Sequence, residues 1–289
     1  MDSNRGQYTV EMMAKVLNVC PRSYYNYKKG MNNIREIRKE KLMQKITDIY
    51  FDKKGRYGAP RIVAELNANN TAICLSTVAK YMRELGIRSK LGRKFRIATT
   101  DSNHGFYIAP NLLNREFDVD KPSKVWVSDI TYIHTKDGFL YLTVVIDLYD
   151  RKVIGWSYSS DMTAQNTTVA ALRMAVRNRK PNIGTIIHSD RGVQYACGEF
   201  VDLIKENKMV QSMSRKGNCW DNAVAESFFK SLKTELIYGA IEMSAKDMET
   251  ELFEYIEVWY NRSRRHSALG NQTITEFWND IFCINKKVA

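Results

Sequence analysis

Near residue 124 the apolar pattern of the chain changes period, and that change restricts the fold more than any other feature. Upstream, apolar residues recur every three or four positions. Downstream come three runs rich in Val, Ile, Tyr and Trp, at 124–133, 139–148 and 153–159. The turn residues Lys136-Asp137-Gly138 and Tyr149-Asp150-Arg151 separate them, which predicts three strands joined by short connections. A helix follows over 164–178, with Val169, Leu172 and Val176 on one face. Then come a strand at 185–188, a helix near 198–206, a short strand at 209–213 and a helix from about 221 to 236. Antiparallel strands followed by alternating helices and strands predict an α/β sheet with helices packed on it.

The upstream part reads as helical. Over 8–28, Val10, Met13, Ala14 and Leu17 fall at helical spacing, Asn18 tolerates a left-handed turn, and Pro21 suits the start of a second helix. The aromatic and basic run from Ser23 to Lys29 fits either a helix-turn-helix reader or a plain helical hairpin. In a second unit, Ile37, Met43, Ile46, Ile49 and Tyr50 mark a long helix and Ala59-Pro60 opens another. Ser76 is the expected N-cap of a third, closed by Gly86. That helix carries Lys80 and Arg83, with Arg88, Lys90, Arg93, Lys94 and Arg96 beyond it. A basic helix after a tight turn has the form of a major-groove recognition helix; the plainer reading is a small bundle with a basic surface.

Charge is unevenly spread. From Arg35 to Arg96 there are 16 Lys and Arg against 6 Asp and Glu, whereas from Pro122 to Glu226 the numbers are 13 and 11, in a chain of net charge +12. A local basic surplus favours a polyanion, because each cation placed on a phosphate releases condensed counterions. No run approaches the ~18 apolar residues of a membrane span, and Met1-Asp2-Ser3-Asn4-Arg5-Gly6 offers no apolar stretch for export, so a cytoplasmic protein is expected. Five scattered cysteines without a CxxC pair point to reduced thiols and away from a zinc module. Between 98 and 121 periodicity lapses, which predicts a linker.

Against this background three acids stand out. Asp129 lies inside an apolar strand, sharing a face with Val125 and Val127; Asp190 ends the run Ile186-Ile187-His188-Ser189; Glu226 lies on the last helix of the region. Thirty-five residues separate the second acid from the third. A buried ionised carboxylate costs several kcal/mol unless it is paired or binds metal. On the last helix Trp220, Val224, Phe228 and Leu232 repeat at helical spacing, and Glu226, Lys230 and Lys233 form a polar stripe. That stripe can hold metal and grip a phosphate backbone, or be an ordinary helix ion pair. Hard oxygen ligands suit Mg²⁺ or Mn²⁺, and two such ions can activate a nucleophile and stabilise a leaving oxygen on phosphate. No GxxxxGK[ST] loop, HExxH or GxSxG competes; His188 stands close enough to Asp190 to support it.

At these residues the chain resembles the DDE transposase and retroviral integrase superfamily. More narrowly, it is similar to the OrfB-type transposases of the third insertion-sequence (IS) family. The matching stretches are Val125-Trp126-Val127-Ser128-Asp129-Ile130-Thr131-Tyr132, Val145-Ile146-Asp147 with Val153-Ile154-Gly155-Trp156, and His188-Ser189-Asp190-Arg191-Gly192-Val193-Gln194-Tyr195. To these are added Ser214-Arg215-Lys216-Gly217-Asn218-Cys219-Trp220-Asp221-Asn222-Ala223 leading to Glu226, and Tyr260-Asn261 with Arg265-His266-Ser267-Ala268-Leu269-Gly270. Arg56-Tyr57-Gly58 through Arg61-Ile62 is similar to the family's helix-turn-helix segment.

The resemblance implies an α/β fold: an RNase H-like mixed-sheet catalytic core over 122–236, preceded by helix-turn-helix units at 1–33 and 34–97 and the linker at 98–121. A helical extension follows over 237–289. It also implies the chemistry, in which metal-activated water cuts at the element's end and the freed 3′-hydroxyl attacks another phosphodiester. Asp129 would bridge two Mg²⁺ or Mn²⁺ ions, with Asp190 and Glu226 each holding one. Lys80, Arg83, Arg88, Lys90, Lys230, Lys233, Arg262 and Arg265 would contact DNA. The implied partners are the element's terminal inverted repeats, target DNA, further copies of the chain, and an OrfA-type partner or fusion, since no sustained heptads occur here.

Two positions depart from the family pattern: Arg265 stands where proline is usual, and a Thr-Pro pair appears as Thr273-Ile274. Two other classes remain open beside the enzyme, a non-catalytic DNA-binding regulator and an RNase H-like nuclease that hydrolyses without joining.

Overall fold

The structure is a computed structural model, and it describes residues 1–28, 34–90, 105–238 and 240–288. Lys29, the basic residues Arg93, Lys94 and Arg96 and the start of the expected linker lie outside the described residues. The chain forms two compact units, Met1–Ser89 and Lys90–Ala289.

The first unit is helical. α1 (Val10–Val16) begins at Thr9, whose hydroxyl accepts the Met12 N–H; Asn18 takes the left-handed conformation at φ 51°, and Pro21 opens α2 (Pro21–Lys28). α3 (Ile34–Asp52), α4 (Ala59–Ala68) and α5 (Leu75–Glu84) pack around buried Ile46, Tyr57, Ile62, Leu66, Val78 and Met82. Ser76 is not the cap of α5. The helix starts at Leu75 with Cys74 as its N-cap residue, and the Ser76 and Thr77 hydroxyls lie 3.2 and 3.0 Å from the Cys74 sulfur. Gly86, at φ 68°, ends the helix as expected.

The second unit is built on a five-stranded mixed sheet of order β3-β2-β1-β4-β5. Its strands are β1 (Val125–Thr135), β2 (Gly138–Asp147), β3 (Val153–Ser159), β4 (Ile186–Ser189) and β5 (Val210–Met213). β1–β2 and β2–β3 are antiparallel, joined by tight turns; β4 and β5 add in parallel. α6 (Ala170–Asn178) returns the chain from β3 to β4, and α8 (Gly198–Glu206) from β4 to β5, as parallel pairing requires. Before α8 the four-residue α7 (Val193–Ala196) is too short to show a helical period in sequence. Trp126, Val145, Ile154, Leu172, Ile187, Tyr195, Phe200 and Met213 share one core.

At Gly155 the close approach of β3 and α6 excludes any side chain: a Cβ there would lie 2.3 Å from the Ala171 carbonyl oxygen and 2.5 Å from the Ala175 nitrogen. α9 (Ala223–Leu232) packs on β1 and runs into a π-helical turn, Lys233–Ile237. α10 (Ala245–Phe253) likewise continues as a π-helix over Glu254–Ser263, and α11 (Ile274–Val288) ends the described chain.

The described part of the expected linker has no regular structure but is not a free tether. Ala109 and Leu113 are buried, the Leu112 N–H donates to Ser212 Oγ at 2.9 Å, and the Met213 N–H to the Pro110 carbonyl at 3.4 Å. Short polar-backbone anchors of this kind leave no periodic trace. Among the described residues no helix is long and apolar enough to cross a membrane.

Candidate active site

The sheet brings two of the acids side by side. β1 and β4 pair in parallel with Val127 opposite His188, so two residues farther along each chain Asp129 and Asp190 emerge level with one another. Both are half-buried. Asp129 accepts the N–H of Ile130 at 2.9 Å, and Asp190 accepts the N–H of Gly192 at 3.0 Å, which turns the chain sharply after β4. Glu226 comes from the first turn of α9, on the exposed side of that helix. Asn222, just before α9, donates from Nδ2 to the Ser128 carbonyl at 3.0 Å and so fastens the start of the helix to the strand carrying Asp129.

Electrostatics links all three groups. Burial pushes the Asp129 carboxyl well above its ordinary range; Asp190 and Glu226 push it further, while the Ile130 N–H and Lys233 oppose them. Burial also raises Glu226. Burial lowers Lys233, against the pull of Asp129, and its ammonium lies 5.2 Å from the centre of the Tyr132 ring. Three carboxyls whose charges meet at Asp129, where β4 ends beside the middle of β1, are hard oxygen donors whose repulsion a divalent cation would relieve. The set is not drawn closed: among the described residues no three His, Cys, Asp or Glu side chains gather at metal-ligand spacing.

Other expected site residues divide sharply. Lys80, with its side chain 69% exposed and 3.9 Å from Glu84, lies on α5 with exposed Arg83, and Arg88 is exposed beyond it. Lys90, Lys230 and Arg262 are exposed, and Lys233 is half-buried. Arg265 is a correction. It is only 5% exposed, its guanidinium donating to both Glu276 oxygens at 2.7 and 3.0 Å and to the Asn271 carbonyl. Glu276 in turn accepts the Thr273 N–H, and Thr273 Oγ1 accepts the Glu276 N–H, a capping box at the start of α11. Of the two departures from the family pattern, Arg265 thus braces the start of α11 and is buried there rather than presented to DNA, and Ile274 is a buried apolar residue at the first position of that helix.

Two further readings change. Trp220 does not continue the apolar stripe of α9; it lies in the 3₁₀ turn Cys219–Asn222 and is 69% exposed. His188 does not support Asp190. Its ring nitrogens lie 2.9 and 3.1 Å from the Ser212 and Ser214 hydroxyls, and burial pushes its pKa down to about 4, so it is neutral. Residues that sequence reasoning did not single out instead surround the acids. Tyr195 is buried with its hydroxyl 2.9 Å from Ser128 Oγ, and burial with Asp129 and Asp190 raises it far above an ordinary phenol. Asp221 is wholly buried beneath Arg115 and Arg215. It lies within one of the family-like stretches, but nothing in its spacing signals a partner 106 positions away.

Residues 119–219 and 207–273 each match a family described as an integrase core domain, and residues 36–95 match one described as an HTH-like domain. Transposase InsF for insertion sequence IS3A, of Escherichia coli (strain K12), is 39% identical over 281 residues, 96% of this chain and 97% of that protein. The insertion element IS600 uncharacterized 31 kDa protein of Shigella sonnei is 39% identical over 259 residues, 90% and 94% of the two chains. Among solved structures, the HTLV-2 integrase catalytic core domain in complex with magnesium (trimeric form) is 16% identical with a TM-score of 0.41, covering 54% of this chain and 96% of that one. The simian T-cell lymphotropic virus intasome in complex with PP2A regulatory subunit B56 gamma is 13% identical with a TM-score of 0.43, covering 80% and 73%. On the strength of its sequence relatives, this chain belongs to the InsF transposases of IS3-type insertion sequences, DDE polynucleotidyl transferases that join an HTH-like domain to an integrase core.

Proposed function

We propose that the chain cleaves DNA at the ends of its element and joins the freed 3′-hydroxyl to a target phosphodiester, with Asp129, Asp190 and Glu226 as the metal-holding catalytic carboxylates. The observation that carries this reading is the parallel pairing of β1 with β4, which sets Asp129 level with Asp190, while burial and both other acids raise the Asp129 carboxyl. When bound there, two Mg²⁺ or Mn²⁺ ions would supply Lewis-acid stabilisation of the attacking and leaving oxygens. Asp129, which feels the charge of both other acids, would hold the metal together with Asp190 and Glu226. Because protons compete for a raised carboxyl, the site opens to cations as pH rises. Lys230 and Lys233 face the DNA end from α9 and the turn that ends it.

The working divisions are helix-turn-helix-like units at 1–33 and 34–97, a connecting segment at 98–121, the core at 122–236 and a helical extension at 237–289. Lys80, Arg83, Arg88 and Lys90 serve DNA reading, and Arg262 adds a cation on the core. Copies of the chain assemble on the element's terminal repeats in the bacterial cytoplasm, with an OrfA-type partner or fusion. The alternative is a non-catalytic DNA-binding regulator of transposition, which the exposed cations of α5 would serve without any use of the acids.

The test is a duplex bearing the element's own terminal repeats, with Mn²⁺, assayed for nicking and joining with and without the upstream partner. Cleavage in either arm supports the enzyme; binding without metal-dependent cleavage in both leaves the regulator. A double change, Lys80→Ala with Arg83→Ala, is expected to weaken binding of any duplex and to lower the slope of log affinity against log salt by about 1 for each phosphate that is no longer neutralised. An unchanged slope removes α5 from the DNA interface.

A further inference from the structure

Trp220 is a large aromatic side chain held in water, on the turn that leads into the helix carrying Glu226. It is 69% exposed, yet the turn that carries it is firmly braced. The next residue, Asp221, has no exposed side-chain surface and accepts Arg115 Nε at 2.8 Å, Arg215 Nε at 2.9 Å, Arg215 Nη2 at 2.8 Å and Asn111 Nδ2 at 3.0 Å. Asn222 follows, tied to the Ser128 carbonyl next to Asp129. The turn is therefore pinned from two sides, to the segment before β1 and to β1 itself. The backbone that carries the ring is thus set by Asp221 and Asn222, while the indole itself is left facing solvent with its faces open to a partner.

Charge identifies the occupant. Arg115 and Arg215 share one carboxylate and are 44% and 47% exposed, so the flank of the turn is net positive. Six residues on lies Glu226. A cationic flank with an exposed aromatic ring on a pinned turn is the arrangement that receives single-stranded nucleic acid, the cations following the phosphates and the ring stacking on a base. We propose that Trp220 is a stacking platform for one unpaired base at the DNA end, held in place by Asp221, Arg115 and Arg215, so that fraying of the terminal pair is stabilised as the end enters the site. The inference rests on the reading of Asp129, Asp190 and Glu226 as the catalytic centre.

The test uses the full chain with its terminal-repeat duplex and Mn²⁺, together with the upstream partner if cleavage requires it. Trp220→Ala is expected to slow single-turnover cleavage about 5- to 150-fold, the range for losing one base–aromatic stack, and Trp220→Phe to restore most of it. An abasic site is then moved through the terminal nucleotides. At one position it should slow the wild type to the rate of Trp220→Ala, and on that substrate Trp220→Ala should cost nothing further, the non-additivity expected of two groups that stack on each other. Equal slowing by Trp220→Ala on every abasic substrate would mean that the ring acts through the protein, and an unchanged rate that it does not act; either overturns the proposal. The thermal midpoint of this surface variant should match the wild type. Failure of the underlying site is read separately, as wild-type protein that cuts no faster than Asp129→Asn.

Discussion

Asp129→Asn is expected to reduce end cleavage and joining by on the order of 10³-fold or more, the scale of removing a group that stabilises transition-state charge, while making the metal-free protein more stable. Both effects have one cause. Burial and the neighbouring Asp190 and Glu226 carboxyls hold Asp129 well above its ordinary range, so in the absence of a cation the ionised form is a liability to the fold. Asparagine keeps the shape and an oxygen for the Ile130 N–H, and carries no charge to be repelled. It also cannot anchor a cation. Function and stability should therefore move in opposite directions, which an ordinary core residue would not do.

The pH dependence follows from the same shift. Below the ordinary carboxylate range, Asp129 is protonated in both folded and unfolded chains and nothing is lost. As pH rises toward its raised folded value the unfolded chain releases its proton first, and the native state loses stability; above that value the loss is constant. Thermal unfolding in chelator should show the variant's advantage over wild type absent in acid, widening through this window and then level. Adding Mn²⁺ should raise the wild-type midpoint and leave the variant nearly unmoved. A variant that still cuts, or one that melts lower than wild type at neutral pH, would remove Asp129 from the centre of the site.

How much of this was legible in sequence depended on the range of the interaction. The β1–β2–β3 meander is local: β-branched runs and the Lys136-Asp137-Gly138 turn specify it, and Gly138 sits at φ 115° where a side chain is strained. Asp129 and Asp190 were visible as acids in apolar company. Their adjacency is implied only by the family resemblance and not by the residues themselves, because it comes from the parallel pairing of β1 with β4 across the α6 crossover. Arg265 looked like a DNA contact because exposed and buried arginines read alike; only the fold reveals Glu276 as its partner. Trp220 fits a helical stripe by its spacing, yet the helix starts three residues later, at Ala223. Element ends set by tertiary contacts rather than capping residues are the part a single sequence conveys least.

Arg264→Met is expected to cost about 3–5 kcal/mol of stability, the usual penalty for breaking a buried ion pair from one side. Arg264 is 6% exposed and Glu235 5%; the guanidinium donates to both Glu235 oxygens, at 2.9 Å from Nη2 to Oε1, and to Ser231 Oγ at 3.1 Å. Glu235 also accepts from Trp259 Nε1 at 2.8 Å and from the Tyr255 hydroxyl at 3.1 Å. Methionine would leave that carboxylate buried with neutral donors alone, so its pKa in the variant must rise. The deficit should accordingly be larger at pH 8 than near pH 5, because the folded variant holds a proton that its unfolded chain has released. Urea unfolding midpoints at the two values measure this. Replacing both partners, Arg264→Met with Glu235→Leu, should recover most of the loss, since no charge is then stranded. The pair joins the π-helical turn that ends α9 to the end of the π-helix following α10, so it fixes the far end of the helix that carries Glu226, as Asn222 fixes the near one. A single variant as stable as wild type, or a double variant no better than the single, would mean that apolar packing of Trp259 and Tyr255 holds α9 and the ion pair does not.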